Sequence, residues 1–269
     1  MLDQLIFLKL GGSLITNKDI RNTARKQTIK RLGLEIKKYL LDNPNKQLLI
    51  GHGSGSFGHM AASYTKTRRG VCSYDEWVGY QKVWWAARQL NQIVCEILIE
   101  VGLPVVTHSA SSAVVTENRK IVDWQTYPIR QTLNNGLIPV IYGDVIIDRQ
   151  IGGTILSTEE LFSALIKSLQ PKRILLAGKD AGVFRDFPSN NEMIQTITPK
   201  SFETEGQSVR ASMHQDVTGG MASKVSEMVK IVKNHAGLQI QIFSGEVAFN
   251  LHAALSGERI GTIITAPSD

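Results

Sequence analysis

Residues 48–59 read Leu-Leu-Ile-Gly-His-Gly-Ser-Gly-Ser-Phe-Gly-His. Leu48 to Ile50 form a short apolar run feeding directly into glycines, the pattern of a buried strand ending in a loop where backbone must come close to something. Glycines leave successive N–H groups uncovered, and a loop of this kind leading into a helix gathers partial positive charge, so its expected guest is a phosphate. His52 and His59 bracket it. Taken alone, a tight strand-to-helix turn without a ligand explains the glycines equally well, and the balance is set by the rest of the chain.

Two known phosphate motifs fit this loop in part. Gly53, Gly55 and Gly58 satisfy G-x-G-x-x-G, but the acidic residue expected about twenty positions on should end a second strand. Here Asp75 and Glu76 stand at a helix start instead. Gly53 to Gly58 also matches the glycine frame of a P-loop, yet His59 takes the lysine position and Met60 the Ser/Thr position. Neither motif is met, which argues against both an NAD-dependent oxidoreductase and a P-loop enzyme.

Composition leaves an ordinary globular protein. The 269 residues are 42% hydrophobic and 20% charged, enough for a sizeable core in one large domain or two intimate lobes. Residues 1–10 have too short an apolar run for a signal peptide, and no stretch reaches membrane-spanning length. Cys72 and Cys95 are the only cysteines, which excludes a disulfide framework or zinc cluster and suits a reducing cytoplasm. The net charge of +6 is spread along the chain without a dense basic run, so nucleic acid is not the expected partner; a modest positive excess suits small phosphorylated substrates.

Outward from the loop, strands are expected at Leu5–Leu10, Pro104–Thr107, Ile138–Tyr142, Ile174–Ala177, Ile240–Phe243 and Gly261–Thr265. Helical spacing marks Thr28–Leu41, Thr126–Asn134 and a stretch near Phe249–Leu255. Ser73 with Glu76 and Ser157 with Glu160 form capping-box patterns opening two more helices. The first runs to about Val101, with Gly79 expected to separate its opening turns. Val145–Leu156 reads as a β-hairpin, and Phe187–Ser212 as a polar surface excursion. Alternating strands and helices imply an α/β fold, an open sandwich around a mainly parallel sheet.

Three features gather near strand ends. Lys9 lies inside an apolar strand that runs into Gly11, Gly12 and Ser13, and a lysine there is costly to bury without an anion. Lys18 follows and reaches the same place if its segment folds back. Asp216-Val-Thr-Gly-Gly-Met-Ala-Ser-Lys224 opens a helix with Gly219 and Gly220 exposing N–H groups beside Lys224. Asp144 follows the strand Ile138–Tyr142 and has the expected role of orienting lysines. So many cationic and N–H donors suit a row of phosphates. Phosphoryl transfer needs mostly positioning and charge neutralisation. With no evident base in these loops, an acceptor that is already anionic fits better than an alcohol.

Lys9-Leu-Gly-Gly-Ser13, the loop from His52 to His59, Tyr142-Gly-Asp144 and Asp216-Val-Thr-Gly-Gly-Met221 with Lys224 together resemble the amino acid kinase superfamily, and within it the isopentenyl phosphate kinases. The resemblance implies a single domain over 1–269, with an acceptor-binding lobe (about 1–170) and a nucleotide-binding lobe (about 171–269). It implies a homodimer that transfers the γ-phosphate of ATP to isopentenyl phosphate, with Mg2+ carried on the ATP phosphates. Lys9 and Lys18 would neutralise the transferring group, Lys224 would hold the terminal phosphate, and His59 would donate to the acceptor phosphate. Gly11, Gly12, Ser13, Ser54 and Gly55 would cradle phosphates. Asp180, Asp216, Thr218, Gly219 and Gly220 would line the nucleotide side. Trp77, Tyr80 and Trp84, which at helical spacing read by themselves as a core stripe, would bound the prenyl tail, with Thr158 on the substrate side. Thr158-Glu159 stands where the family often has Gly-Asp, and Lys179-Asp180-Ala181-Gly182 departs from its usual Asp-Val-Asp-Gly. A fosfomycin kinase-like enzyme and a non-catalytic nucleotide sensor on the same fold are the competing readings.

Overall fold

A computed structural model describes residues 5–58, 66–186, 189–204 and 220–266. At its centre is β1 (Leu5–Leu10), buried along its whole length. β1 runs parallel to β2 (Gln47–His52) on one side and to β9 (Arg173–Gly178) on the other. Beyond β2 lie β6 (Ile138–Tyr142) and β3 (Val105–Thr107); beyond β9 lie β11 (Gln239–Ser244), β12 (Thr262–Thr265) and β10 (Thr196–Ile197). Within this eight-stranded sheet the β11–β12 pair is antiparallel and the other pairs are parallel, so β12 and β10 run opposite to the remaining six strands. The chain fills one side of β1 first and returns to fill the other. The β1/β9 boundary is therefore the topological switch point, where ligands bind beyond the strands' C-terminal ends.

Side chains of a strand alternate between faces, and β1 divides the interior accordingly. Ile6, Leu8 and Leu10 pack with α2 (Lys26–Asp42), α3 (Tyr74–Glu100) and α8 (Asn250–Ser256), through residues such as Ile29, Leu32, Leu90 and Leu251. Leu5 and Phe7 pack on the other face with α5 (Thr158–Leu169) and α7 (Gly220–Asn234), through Phe162, Leu165 and Met228. Phe7 and Phe162 meet with ring centroids 5.0 Å apart. The same alternation puts Lys9 on the α5/α7 face, at the end of a strand buried along its length.

The expected strands and helices are present, with three differences. The helix α3 is continuous through Gly79, which is buried. Its capping box at Ser73 and Glu76 is formed, and packing along so long a helix outweighs the roughly 1 kcal/mol cost of one glycine. The segment expected as a surface excursion supplies β10 and α6 (Pro199–Thr204), with Ile194, Ile197 and Phe202 buried. Between β3 and α4 (Tyr127–Asn134) lies a hairpin absent from the sequence reading, β4 (Val114–Glu117) and β5 (Lys120–Trp124). Its turn residues Asn118 and Arg119 have φ of 45° and 66°, without the glycine that would advertise such a turn.

That hairpin joins β7 (Asp144–Asp148) and β8 (Gly152–Leu156) in a second sheet of order β5-β4-β7-β8. Asp148 ties the two hairpins together. It is 2% exposed, and its carboxylate accepts from Thr116 Oγ1 and from the N–H groups of Asn118, Arg119, Gln150 and Ile151. Burial alone would push this carboxyl up, but the donors outweigh it and hold it well below the usual range. Such a carboxylate stabilises the fold above its ordinary pKa and loses that contribution as pH falls through its depressed value. Asp148→Asn is expected to cost about 1–3 kcal/mol at neutral pH, measured by urea unfolding, with the difference from the parent protein shrinking as the medium is acidified.

Candidate active site

The glycine turns after β1 and β2 interlock at the switch point. Gly11 N–H donates to Ala177 O at 2.8 Å and Gly53 N–H to Leu10 O at 3.1 Å. A Cβ on Gly12 would stand 2.4 Å from Gly55 N, and one on Gly53 would stand 2.8 Å from Gly12 N. Only glycine permits two backbones to approach so closely. Gly55 also has φ +47°. Thr16 stitches the turns together: its Oγ1 donates to Gly12 O at 2.7 Å and accepts from Ser56 N–H at 3.0 Å. A threonine four residues after a glycine that opens a helical turn can bond back to it, a spacing visible in sequence; the partnership with Ser56 was not. Ser13 and Ser54 are half-buried beside this cradle, and residues 55–58 turn helical. Ser56 Oγ is buried with no partner among the described residues. Glycine turns beside a buried hydroxyl without a partner among the described residues suit a phosphate group.

Lys9 enters from β1, 9% exposed, and its Nζ donates to Glu159 Oε1 at the start of α5. Burial pushes the Lys9 ammonium down, against the pull of Glu159, and the charge of Lys224 adds to the push. Burial works against the Glu159 carboxylate too, yet the adjacent ammonium outweighs it and keeps the group charged. Lys224, exposed in the first turns of α7, acts electrostatically on both partners. Lys9, Glu159 and Lys224 thus share one neighbourhood. Lys18 is exposed on a loop whose ends are closed by the Thr16–Ala24 bridge and by Asn17 N–H to Thr23 O, two residues from the cradle's Thr16.

Asp144 was expected to orient lysines, and the carboxylate beside Lys9 is Glu159 instead. Asp144 accepts from the N–H groups of Ser111 and Val145 at 3.2 and 2.9 Å. It is 1% exposed, and burial pushes its carboxyl up to about 6. The reason for the difference is the direct continuation of β6 into β7, which turns Asp144 toward the second sheet. Glu159 lay in the sequence as an apparent departure from the family pattern and was not read as a site residue. Thr158, expected at the substrate, is buried with its hydroxyl donated to His52 O at 2.6 Å.

His52, at the end of β2, is buried and stacks on Tyr142 with ring centroids 5.3 Å apart. Its Nε2 lies 3.2 Å from Asn91 Oδ1 of α3, and its Nδ1 lies 3.2 Å from Gly53 O. Burial pushes this imidazole down, so it stays neutral beneath the loop. Arg119 was likewise missed: its guanidinium bonds Thr154 Oγ1 and Glu160 Oε1 at 2.8 and 2.7 Å, tying the β4–β5 hairpin to the first turn of α5.

The aromatic stripe of α3 faces the second sheet. Trp77 and Tyr80 have centroids 5.1 Å apart and lie against Gly152 and Gly153 of β8. Tyr80 also feels the charge of Asp144. Trp84 is half-buried, with the Arg88 guanidinium 5.6 Å from its ring centre. Asp180 is exposed just past β9, and Gly220 opens α7. His59, Asp216, Thr218 and Gly219 lie outside the described residues.

Residues 4–244 match the sequence model of the amino acid kinase family. The isopentenyl phosphate kinase of Methanocaldococcus jannaschii is 33% identical, across 97% of this chain and 98% of that protein. The enzyme of that name from Methanothermobacter thermautotrophicus is 30% identical, across 97% and 99%. A crystal structure of isopentenyl phosphate kinase superposes with a TM-score of 0.81 at 27% identity, covering 97% of this chain and all of that one. Matched by the family model over most of its length and by relatives from end to end, the chain belongs to the amino acid kinase family, and within it to the isopentenyl phosphate kinases.

Proposed function

We propose that this protein transfers the γ-phosphate of ATP to isopentenyl phosphate, giving isopentenyl diphosphate and ADP. The observation that carries this reading is Lys9, a buried ammonium set by Glu159 at the end of the central strand, beside a glycine cradle and Lys224. A phosphate monoester is its own nucleophile, so the site needs cations and amides rather than a base. Lys9 and Lys18 neutralise the transferring group and Lys224 the terminal phosphate. Gly11, Gly12, Ser13, Ser54 and Gly55 surround the phosphates, and His59 donates to the acceptor. Asp180, Asp216, Thr218, Gly219 and Gly220 belong to the nucleotide side. Magnesium is assigned to the nucleotide's own phosphates.

In this scheme Glu159 holds Lys9 while Asp144 shapes the junction between α3 and the second sheet, where Trp77, Tyr80 and Trp84 supply an apolar wall for the prenyl chain. Residues up to about 170 form the acceptor lobe and those from about 171 the nucleotide lobe. A phosphonate acceptor has no use for that wall, and a nucleotide sensor has none for an acceptor cradle. The homodimer is the assembly that the family resemblance implies. Cys72 and Cys95 are both free, in keeping with a reducing cytoplasm.

The direct test is ADP release from ATP and magnesium with isopentenyl phosphate, against fosfomycin and a no-acceptor control; turnover confined to fosfomycin, or to no acceptor at all, would sink the proposal. Lys9→Met is expected to lower kcat by about 10²–10³, since an apolar side chain of similar length leaves the cradle without its cation. Asp144 gives a separate signature in stability. Its folded-state value of about 6 lies above the ordinary 3.8, so the fold holds the proton more tightly than the unfolded chain. Its contribution to stability therefore declines as pH rises from about 4 to about 6. In urea unfolding, Asp144→Asn should gain relative to the parent between these two pH values; parallel pH dependences would refute the assignment.

A further inference from the structure

Arg25 stands immediately before α2 and joins two parts of the site that are far apart in sequence. Its backbone N–H donates to Ile15 O at 2.7 Å and its Nη1 to Leu14 O at 2.9 Å. These carbonyls end the short helical turn α1 (Gly12–Ile15), which begins at the cradle's Gly12. The guanidinium also grips both carboxylate oxygens of Glu246, from Nη1 to Oε1 and from Nη2 to Oε2. Glu246 follows β11 in a turn bound to the end of β9. Gly245 N–H donates to Gly178 O at 2.8 Å, and Ser244 Oγ donates to Lys179 O at 2.9 Å while accepting from Glu246 N–H. Arg31, farther along α2, donates to Gly245 O. The Lys18 loop springs from the same base, because the Thr16–Ala24 bridge that closes it adjoins Arg25.

We propose that Arg25 and Glu246 are a positioning pair that fixes the β1 glycine turn and the Lys18 loop in register with the nucleotide-side turns after β9 and β11. The inference rests on the kinase assignment above. Hydrogen bonds from β1 to β9 align the strands themselves, but the loops beyond the strand ends need their own tie. A guanidinium fork supplies one with fixed geometry, since two parallel bonds define an orientation as well as a distance. Lysine at this position offers a point charge without the fork. Neither residue needs to touch a substrate for the pair to matter. In-line transfer depends on cations and phosphates meeting at the right separation, and a small displacement of one loop weakens it.

The test uses Glu246→Gln, which keeps shape and removes the charge, together with Arg25→Lys and the double variant, all in the full-length chain. Four quantities are read: kcat, KM for isopentenyl phosphate, ADP affinity by titration calorimetry, and melting temperature. Each single variant should lower kcat on the order of tenfold and weaken ADP, leaving KM for isopentenyl phosphate and the melting temperature close to the parent's. The double variant should be no worse than either single, as expected for two halves of one interaction. Unchanged kcat and ADP affinity would overturn the proposal, as would losses that multiply in the double variant or that follow the melting temperature alone. If the parent protein phosphorylates no acceptor, the functional assignment fails separately, and ADP affinity of Glu246→Gln still decides whether the pair sets the nucleotide side.

Discussion

The molecule depends on one buried ion pair, Lys9 with Glu159, set at the end of the central strand of a sheet covered on both faces. Removing an ammonium from water costs several kcal/mol, and a single carboxylate offsets that only when the two meet at close range. The fold meets this demand by bringing the first turn of α5 directly over the end of β1. Breaking either side would leave an uncompensated charge in the interior. The pair therefore fixes how the helix lies on the sheet, and with it the close contact between α5 and β2, where a Cβ on Gly51 would strike Thr158 and Phe162.

Around that pair the parts are arranged by backbone more than by side chain. The two glycine turns touch main chain to main chain, and among the described residues the side chain of Thr16 joins them by hydrogen bonds. Side chains reappear farther out. Arg25 and Glu246 link the β1 turn to the β11 end, Arg119 and Glu160 link the second sheet to α5, and Asp148 gathers two hairpins on one carboxylate. Local rigidity comes from packed backbone, and the relation between loops comes from charged, directional bonds.

Much of this was legible in the sequence, for identifiable reasons. Leu5 to Leu10 and Leu48 to Ile50 are apolar runs bounded by glycines, so the central strands announce themselves. Ser73 with Glu76 and Ser157 with Glu160 signal helix starts, and both capping boxes form. Lys9 was recognisable because a charge in a buried strand needs a reason. What stayed hidden was pairing across long separations. Glu159 is 150 residues from Lys9 and Glu246 is 221 from Arg25, and no local pattern carries such distances. Asp144 was placed at the right strand end, but its neighbours were set by the turn into β7. The Val114–Trp124 hairpin escaped because its turn uses Asn118 and Arg119 where a glycine would have given it away.

The self-capped start of α5 has a further consequence. Ser157 and Glu160 satisfy each other's backbone N–H groups there, and Glu159 adds negative charge, which together disfavour a phosphate at this helix end. Under the proposed function, anion capture falls instead to the lysines and to those main-chain amides of the glycine turns that the protein itself does not use. Amides neither gain nor lose protons near neutrality, so their grip on a phosphate stays constant while the ionisation of the bound groups changes. The cradle thus acts as a fixed scaffold of partial charge, and any response of the protein to acidity is left to the side chains gathered around it.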